Sequence, residues 1–146
     1  MQVLKNRKHC KRPVILCIDA NSRLGSVLST AVGAEEEEQE CGNGELFHSL
    51  LLDMDLFLPS TFWGGGKTWK SSRTELLGRR RRLDFVGLPL DWFHSVLRTY
   101  VSTDTVLDIG EREDHRMPVV EVDLTPVKTS SQWKRRPAMG VNRAAF

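Results

Sequence analysis

The stretch Val14-Ile15-Leu16-Cys17-Ile18-Asp19-Ala20-Asn21 decides how the rest of the chain is organised. It begins with five consecutive apolar residues, most of them β-branched, directly after Pro13. Such a run predicts a short strand that is buried on both faces. The run then changes to Asp-Ala-Asn, and the loop-forming residues Ser22 and Gly25 follow. The strand is therefore expected to end at these polar residues.

Asp19 and Asn21 lie at the predicted end of this strand, two positions apart. Alternate residues of a strand point to the same face, so the carboxylate and the amide would share one side. The carboxyl end of a buried strand is a common location for an active site. Two interpretations follow from this stretch alone: a functional pair of side chains, or a pair that only caps a turn.

Length and composition predict one soluble domain with its own core. The chain has 146 residues, 27% of them charged and 40% hydrophobic, with a formal net charge of +2. No apolar run reaches the length of a membrane span and no signal peptide is evident, so we expect no membrane partner. The three cysteines are odd in number and lack CxxC spacing, which predicts no zinc site and favours a reducing compartment. We expect an intracellular location, the nucleus rather than the cytoplasm.

The charges are segregated along the chain. Basic clusters lie at Lys5 to Arg12, Arg79 to Arg82 and Lys134 to Arg136, and acidic residues cluster at Glu35 to Glu38 with Glu40. A basic surface suits a polyanionic partner, although basic clusters are also common on ordinary solvated surfaces. We predict the acidic cluster to be the solvated tip of a long loop.

Hydrophobic spacing predicts one clear helix, at residues 43–54, with Asn43 as its cap. Its apolar stripe is formed by Leu46, Leu50 and Met54, widened by Phe47 and Leu51. His48 lies one position from this stripe, and we predict it to be on the helix surface.

Several short segments are predicted to be extended. These are Leu56 to Trp63, Thr68 to Lys70, Leu83 to Leu88, Val96 to Thr103 and Pro118 to Leu124, the last with Val120, Val122 and Leu124 facing inward. The three glycines at 64–66 lack the spacing of a phosphate-binding loop and predict a turn. Asp84 lies inside an apolar run, where a carboxylate needs a hydrogen-bond donor as partner.

Four features occur in a fixed order: Asp19-x-Asn21, Thr68-Trp69, Arg82-Leu83-Asp84-Phe85-Val86, and Asp114-His115 before a strand. Together they resemble the C-terminal half of the endonuclease/exonuclease/phosphatase superfamily, which includes apurinic endonucleases, pancreatic-type deoxyribonucleases and inositol phosphatases. The segment between Asn43 and Trp69 most resembles the endonuclease domains of LINE-type retrotransposons. The resemblance covers residues 13–126, between a basic lead-in at 1–12 and a polar tail at 127–146. It implies an α/β (α+β) fold: half of a two-sheet β-sandwich flanked by helices.

The resemblance also implies a set of site residues. In the family pattern the Asp matching Asp19 orients or deprotonates the attacking water, and the Asn matching Asn21 donates to a phosphoryl oxygen. The His matching His115 contacts the scissile phosphate and is held by the Asp matching Asp84, which would supply the partner that this carboxylate needs. The Asp matching Asp114 lies at the metal side, and the implied cofactor is Mg²⁺ or Mn²⁺.

The chain departs from the family pattern at several points. Ile18 stands where glycine is usual, and no residue matches the metal-binding Glu that the superfamily carries in its N-terminal half. We therefore expect a partial domain, from a truncated reading frame or a retroelement remnant, that is inactive or nearly so alone. Its parent activity would be endonucleolytic nicking.

The implied partners are nucleic acid, DNA rather than RNA, and either the missing N-terminal half or a second copy of the chain. The candidate nucleic-acid contacts are Arg79, Arg80, Arg81 and Arg82. Two alternatives stay open: a catalytically dead nucleic-acid-binding module, and an inositol-type small-molecule phosphoesterase of the same fold.

Overall fold

The computed structural model describes residues 12–71, 78–103 and 115–124. In chain order the elements are β1 (Leu16–Asp19), α1 (Gly42–Asp53), β2 (Leu56–Phe57), α2 (Ser60–Trp63), β3 (Trp69–Lys70), β4 (Arg80–Arg81), β5 (Asp84–Pro89), a 3₁₀ helix (Leu90–Ser95), β6 (Val96–Val101) and β7 (Pro118–Val122). None of the helices in these ranges has the length and apolar character needed to span a membrane. The predicted tail at 127–146 and all but one residue of the lead-in lie outside them.

Three strands form the sheet that contains β5. Their order is β1-β5-β2, and both outer strands run antiparallel to β5. Strand β3 pairs with β4 and β6 pairs with β7, each antiparallel. The mixed α/β class predicted from the sequence is confirmed. In the register of β1 against β5, Asp19 lies opposite Asp84.

The core lies between this sheet and α1. Its buried side chains include Leu51 from the helix, Leu56 from β2 and Phe85 from β5. The rings of Phe47 and Phe85 are 5.7 Å apart. Burying a side chain of this size stabilises a fold by about 1.5–3 kcal/mol. Phe85 is thereby fixed in the core, and it directly follows Asp84.

Strand β1 is buried on one face, and the prediction of burial on both faces is wrong. Leu16 and Ile18 are half-buried against the core, whereas Ile15 is 54% exposed and Cys17 is also exposed. The reason is the strand order, because β1 is an edge of the described sheet. A continuous apolar run does not distinguish an edge strand from a central one.

Helix α1 packs against the core with Phe47, Leu50, Leu51 and Met54 as predicted, but it is rotated so that Leu46 faces away from the core and His48 faces toward it. Leu46 is 74% exposed, whereas His48 is 6% exposed and lies on the buried face. Gly44 explains this rotation: a Cβ at that position would lie 2.2 Å from the carbonyl oxygen of Arg23. Only glycine permits this approach, so the face that carries position 44 is turned inward. The predicted cap is also wrong, because Cys41 occupies the N-cap without a side-chain hydrogen bond.

Two further segments differ from their predictions. Residues 60–63 form the short helix α2, so the extended segment predicted from Leu56 ends at Phe57. Leu124 is 51% exposed and does not face inward. The predicted turn glycines connect α2 to β3, and Gly64, Gly65 and Gly66 have φ angles of 77°, 158° and 87°. These are values that side chains rarely adopt.

Candidate functional site

Asp84 is positioned by the start of β5 and by Thr68. The buried Thr68 hydroxyl accepts hydrogen bonds from the backbone N–H groups of Leu83 and Asp84, each at 3.0 Å. The Asp84 side chain is 16% exposed, so most of it is shielded from solvent. Strand pairing and the Thr68 hydroxyl therefore both fix the backbone that carries this carboxylate.

His115 contacts Asp84 from a different part of the chain. Its Nδ1 lies 2.9 Å from Asp84 Oδ2 and 3.2 Å from Oδ1. The backbone of His115 forms an isolated bridge to Trp69, and the next N–H, that of Arg116, donates to the carbonyl of Thr68 at 2.6 Å. A carboxylate at Nδ1 requires a proton there and leaves Nε2 to contact a ligand.

Asp19 completes the group on the neighbouring strand. Its ligand atom and those of Asp84 and His115 all lie within 4.8 Å of one another. Asp19 Oδ1 also accepts the backbone N–H of Asn21 at 3.0 Å, and Asn21 has a left-handed φ of 45°. The turn-capping interpretation of this pair therefore holds in the structure, and it coexists with the grouping of Asp19, Asp84 and His115.

The donor set of this group fits a hard divalent cation. Mg²⁺ is usually bound by one or two carboxylates together with waters and substrate phosphate oxygens. Asp19 and Asp84 supply two carboxylates at neighbouring positions of adjacent strands. Because His115 is bound to the Asp84 carboxylate, Asp19 is the more accessible of the two. Asp114, the expected metal ligand, lies outside the described residues.

No protein-family model and no curated protein matches this sequence. The solved structure of NExo, a 3′ phosphatase from Neisseria bound to a product DNA hairpin, is similar to this chain with a TM-score of 0.52 and 19% sequence identity. The chain shares the fold of the matched part of this structure. The match covers 83% of the chain and 49% of NExo, so the chain spans about half the length of that protein. This likeness supports the mixed α/β fold predicted from the sequence.

The candidate nucleic-acid contacts divide into two groups on this fold. Arg79 and Arg80 are exposed and Arg81 is half-buried, with the last two forming β4. Arg82 is only 5% exposed and its guanidinium is bound inside the protein, so its prediction as a surface contact is corrected. Arg82 follows β4, and its guanidinium is held by the carbonyl of Ser60 and the carboxylate of Glu36, contacts that a run of arginines in the sequence does not reveal.

A second polar group, which the sequence analysis missed, joins α1 to the preceding loop. His48 Nε2 lies 2.6 Å from Ser29 Oγ, and His48 Nδ1 lies 3.2 Å from Glu40 Oε1. These distances resemble those of a serine nucleophile with its base and orienting carboxylate. Ser29 Oγ, however, already accepts the N–H groups of Ala31 and Val32, so neither lone pair is available for attack. The group is structural.

Sequence reasoning missed the roles of both His48 and Thr68, although a signal was present for His48 and not for Thr68. His48 follows Gly44 and precedes Leu51 at helical spacing, and this would have placed it on the buried face. The sequence identifies Thr68 only as part of the Thr68-Trp69 motif. The contacts that give Thr68 its importance join segments far apart in the sequence, and no local pattern reports them.

Proposed function

We propose that this chain carries part of a divalent-cation-dependent phosphoester-hydrolysis site that acts on nucleic acid. The observation that carries the proposal is the convergence of Asp19, Asp84 and His115, on a fold shared with a phosphatase that binds DNA. We also propose that the domain is related to the endonuclease domains of LINE-type retrotransposons.

Each side chain has a definite chemical task in this proposal. The exposed Asp19 carboxylate orients the attacking water or accepts its proton. His115, held at Nδ1 by Asp84, presents Nε2 to the phosphoryl group, where charge develops during hydrolysis. Asn21 supplies an amide donor, and Asp114 belongs to the metal side. A divalent cation bound there would neutralise charge on the phosphoryl oxygens.

The basic strand β4 supports nucleic acid as the substrate. It pairs with β3, in which Trp69 lies opposite Arg81, and the same Trp69 forms the bridge to His115. Arg80 and Arg81 are therefore on a strand pair that directly adjoins the candidate site, and Arg79 immediately precedes it. Arginine contacts to phosphate oxygens position a nucleic acid without reading its sequence.

We expect the chain alone to be inactive or nearly so. Among the described residues, the group of three offers two carboxylates, and one of them is already bound to His115. A cation held so weakly would depend on further ligands for a fixed position. Purified chain incubated with Mg²⁺ or Mn²⁺ should give at most trace nicking of supercoiled plasmid. Strong metal-dependent nicking that His115→Ala abolishes would refute the inactivity and retain the site.

The proposal is tested by binding of a 3′-phosphorylated DNA hairpin, measured by fluorescence anisotropy with Mn²⁺ and with EDTA. We expect Mn²⁺ to tighten binding, and Asp19→Asn to remove that increment while leaving the EDTA value unchanged. Asp53→Asn, which changes an exposed carboxylate on α1, is the matched control and should behave as wild type. Binding that ignores both Mn²⁺ and Asp19→Asn would contradict the proposal.

The second candidate function is a catalytically dead nucleic-acid-binding module. The exposed Arg79 and Arg80, just before and within β4, favour it, because phosphate contacts alone are sufficient for affinity. It predicts affinity that falls steeply with salt, is lost when Arg79 and Arg80 are replaced by glutamine, and does not respond to Mn²⁺.

A further inference from the structure

The acidic cluster predicted to be a solvated loop tip is bound to the buried Arg82. Glu36 Oε2 accepts a hydrogen bond from Arg82 Nη2 at 2.7 Å, and the carbonyl of Glu35 accepts from the same nitrogen at 3.0 Å. Arg82 Nη1 donates to the carbonyl of Ser60 at 2.8 Å. Arg82 Nε has no acceptor among the residues that the structure describes. Within that part of the chain, Glu36 is the charged partner of this guanidinium.

The side chain of a neighbouring glutamate, Glu38, binds the backbone of Arg82. Glu38 Oε1 accepts the backbone N–H of Arg82 at 3.3 Å and lies 3.2 Å from Lys67 Nζ. Thr68 accepts the next two N–H groups, those of Leu83 and Asp84. The backbone N–H groups of residues 82 to 84 thus all donate to side-chain oxygens. The last of these residues, Asp84, is the one whose carboxylate contacts His115.

We propose that Glu36 and Glu38 are positioning residues for the hydrogen bond between Asp84 and His115. Their catalytic meaning rests on the proposed function, but the positioning itself does not. A buried guanidinium that loses its carboxylate must find water or another partner. Arg82 is two residues from Asp84, so any movement of its backbone toward solvent displaces the start of β5.

The test is the protonation pattern of the His115 ring, read from ¹⁵N chemical shifts of the full chain at alkaline pH, where the imidazole is neutral. Because Asp84 accepts from Nδ1, wild type should carry its proton on Nδ1. Asp84→Ala removes the acceptor and defines the shifts of an unrestrained ring. We expect Glu36→Gln to move the shifts of His115 at least halfway toward those of Asp84→Ala.

A matched control is available in Glu37→Gln, which removes an exposed neighbour and should leave the His115 shifts unchanged. Arg82→Lys keeps the charge, loses the two-pronged contacts to Glu36 and Ser60, and should reproduce the effect of Glu36→Gln. If Glu36→Gln fails to fold, Glu38→Gln tests the same prediction. Wild-type shifts in a folded Glu36→Gln or Glu38→Gln, even with a lower melting temperature, would overturn the proposal. The measurement uses neither cation nor DNA, so its outcome is independent of whether the proposed function holds.

Discussion

At the scale of single residues, Thr68 connects the two members of the Asp84–His115 pair. Its hydroxyl binds the backbone of Asp84, and its carbonyl binds the backbone N–H that follows His115. One buried residue thereby sets the relative position of segments that are about thirty residues apart in the sequence. An apolar run around Asp84 predicts that its carboxylate needs a donor, and the family resemblance implies His115 as that donor. The role of Thr68 as the support of this pair did not follow from the sequence.

We predict that Thr68→Val, which keeps the shape and removes the acceptor, lowers the free energy of unfolding by about 1–3 kcal/mol. The reason is that two backbone N–H groups, those of Leu83 and Asp84, lose their acceptor in a buried setting. Urea unfolding measures the change. Thr68→Ser retains the hydroxyl and is the control, so an equal loss in both variants would assign the effect to packing.

Glu121 provides a prediction of pH dependence at an exposed position. The side chain of Arg98 donates two hydrogen bonds to its carboxylate, each at 2.7 Å, and this holds the pKa of Glu121 below its ordinary value. A lowered pKa in the folded state means that the pair stabilises the fold above the ordinary pKa. This stabilisation is lost as the pH falls through the lowered value.

We expect the side-chain titration of Glu121, followed by NMR, to have a midpoint below that of the Arg98→Gln variant. The accompanying change in stability should be small because both groups face solvent. Equal midpoints in the two proteins would show that the hydrogen bonds to Arg98 do not persist in solution.

At the scale of elements, the periodic pattern predicted the location of α1 to within one residue and most of its core-facing residues, but it misplaced Leu46 and His48. The apolar residues at 46, 47, 50, 51 and 54 cover more than one face, so spacing alone allows two rotations about the helix axis. The close approach of Gly44 to the Arg23 carbonyl selects one of them. That contact is invisible in a local pattern, since it depends on how the preceding loop folds.

Two leucines on α1 distinguish these rotations. Leu51→Ala removes a side chain with 0% exposure and should cost about 2–5 kcal/mol of unfolding free energy. Leu46→Ala changes a residue that is 74% exposed and should alter it by less than about 0.5 kcal/mol. Thermal or urea unfolding of the two variants gives the comparison. A larger loss for Leu46→Ala would show that Leu46 lies on the buried face of the helix, as the apolar stripe predicted.

At the scale of the whole molecule, the fold brings together residues that the sequence separates by more than sixty positions. The order of the four motifs predicted the fold class through the family resemblance, and three of the residues that the resemblance implied, Asp19, Asp84 and His115, lie together in the structure. Edge placement of β1 and burial of Arg82 were not predictable in this way. Both depend on which strands become neighbours, and a chain's local apolar or charged character does not determine strand order.

Binding of Mn²⁺ to the full chain, followed by electron paramagnetic resonance, tests the cation site most directly. We predict that wild type binds Mn²⁺, that Asp19→Asn and Asp84→Asn each weaken this binding at least fivefold, and that the Asp53→Asn control does not. Mn²⁺ binding that is absent, or that is equally strong in all four proteins, would show that Asp19 and Asp84 do not form a cation site.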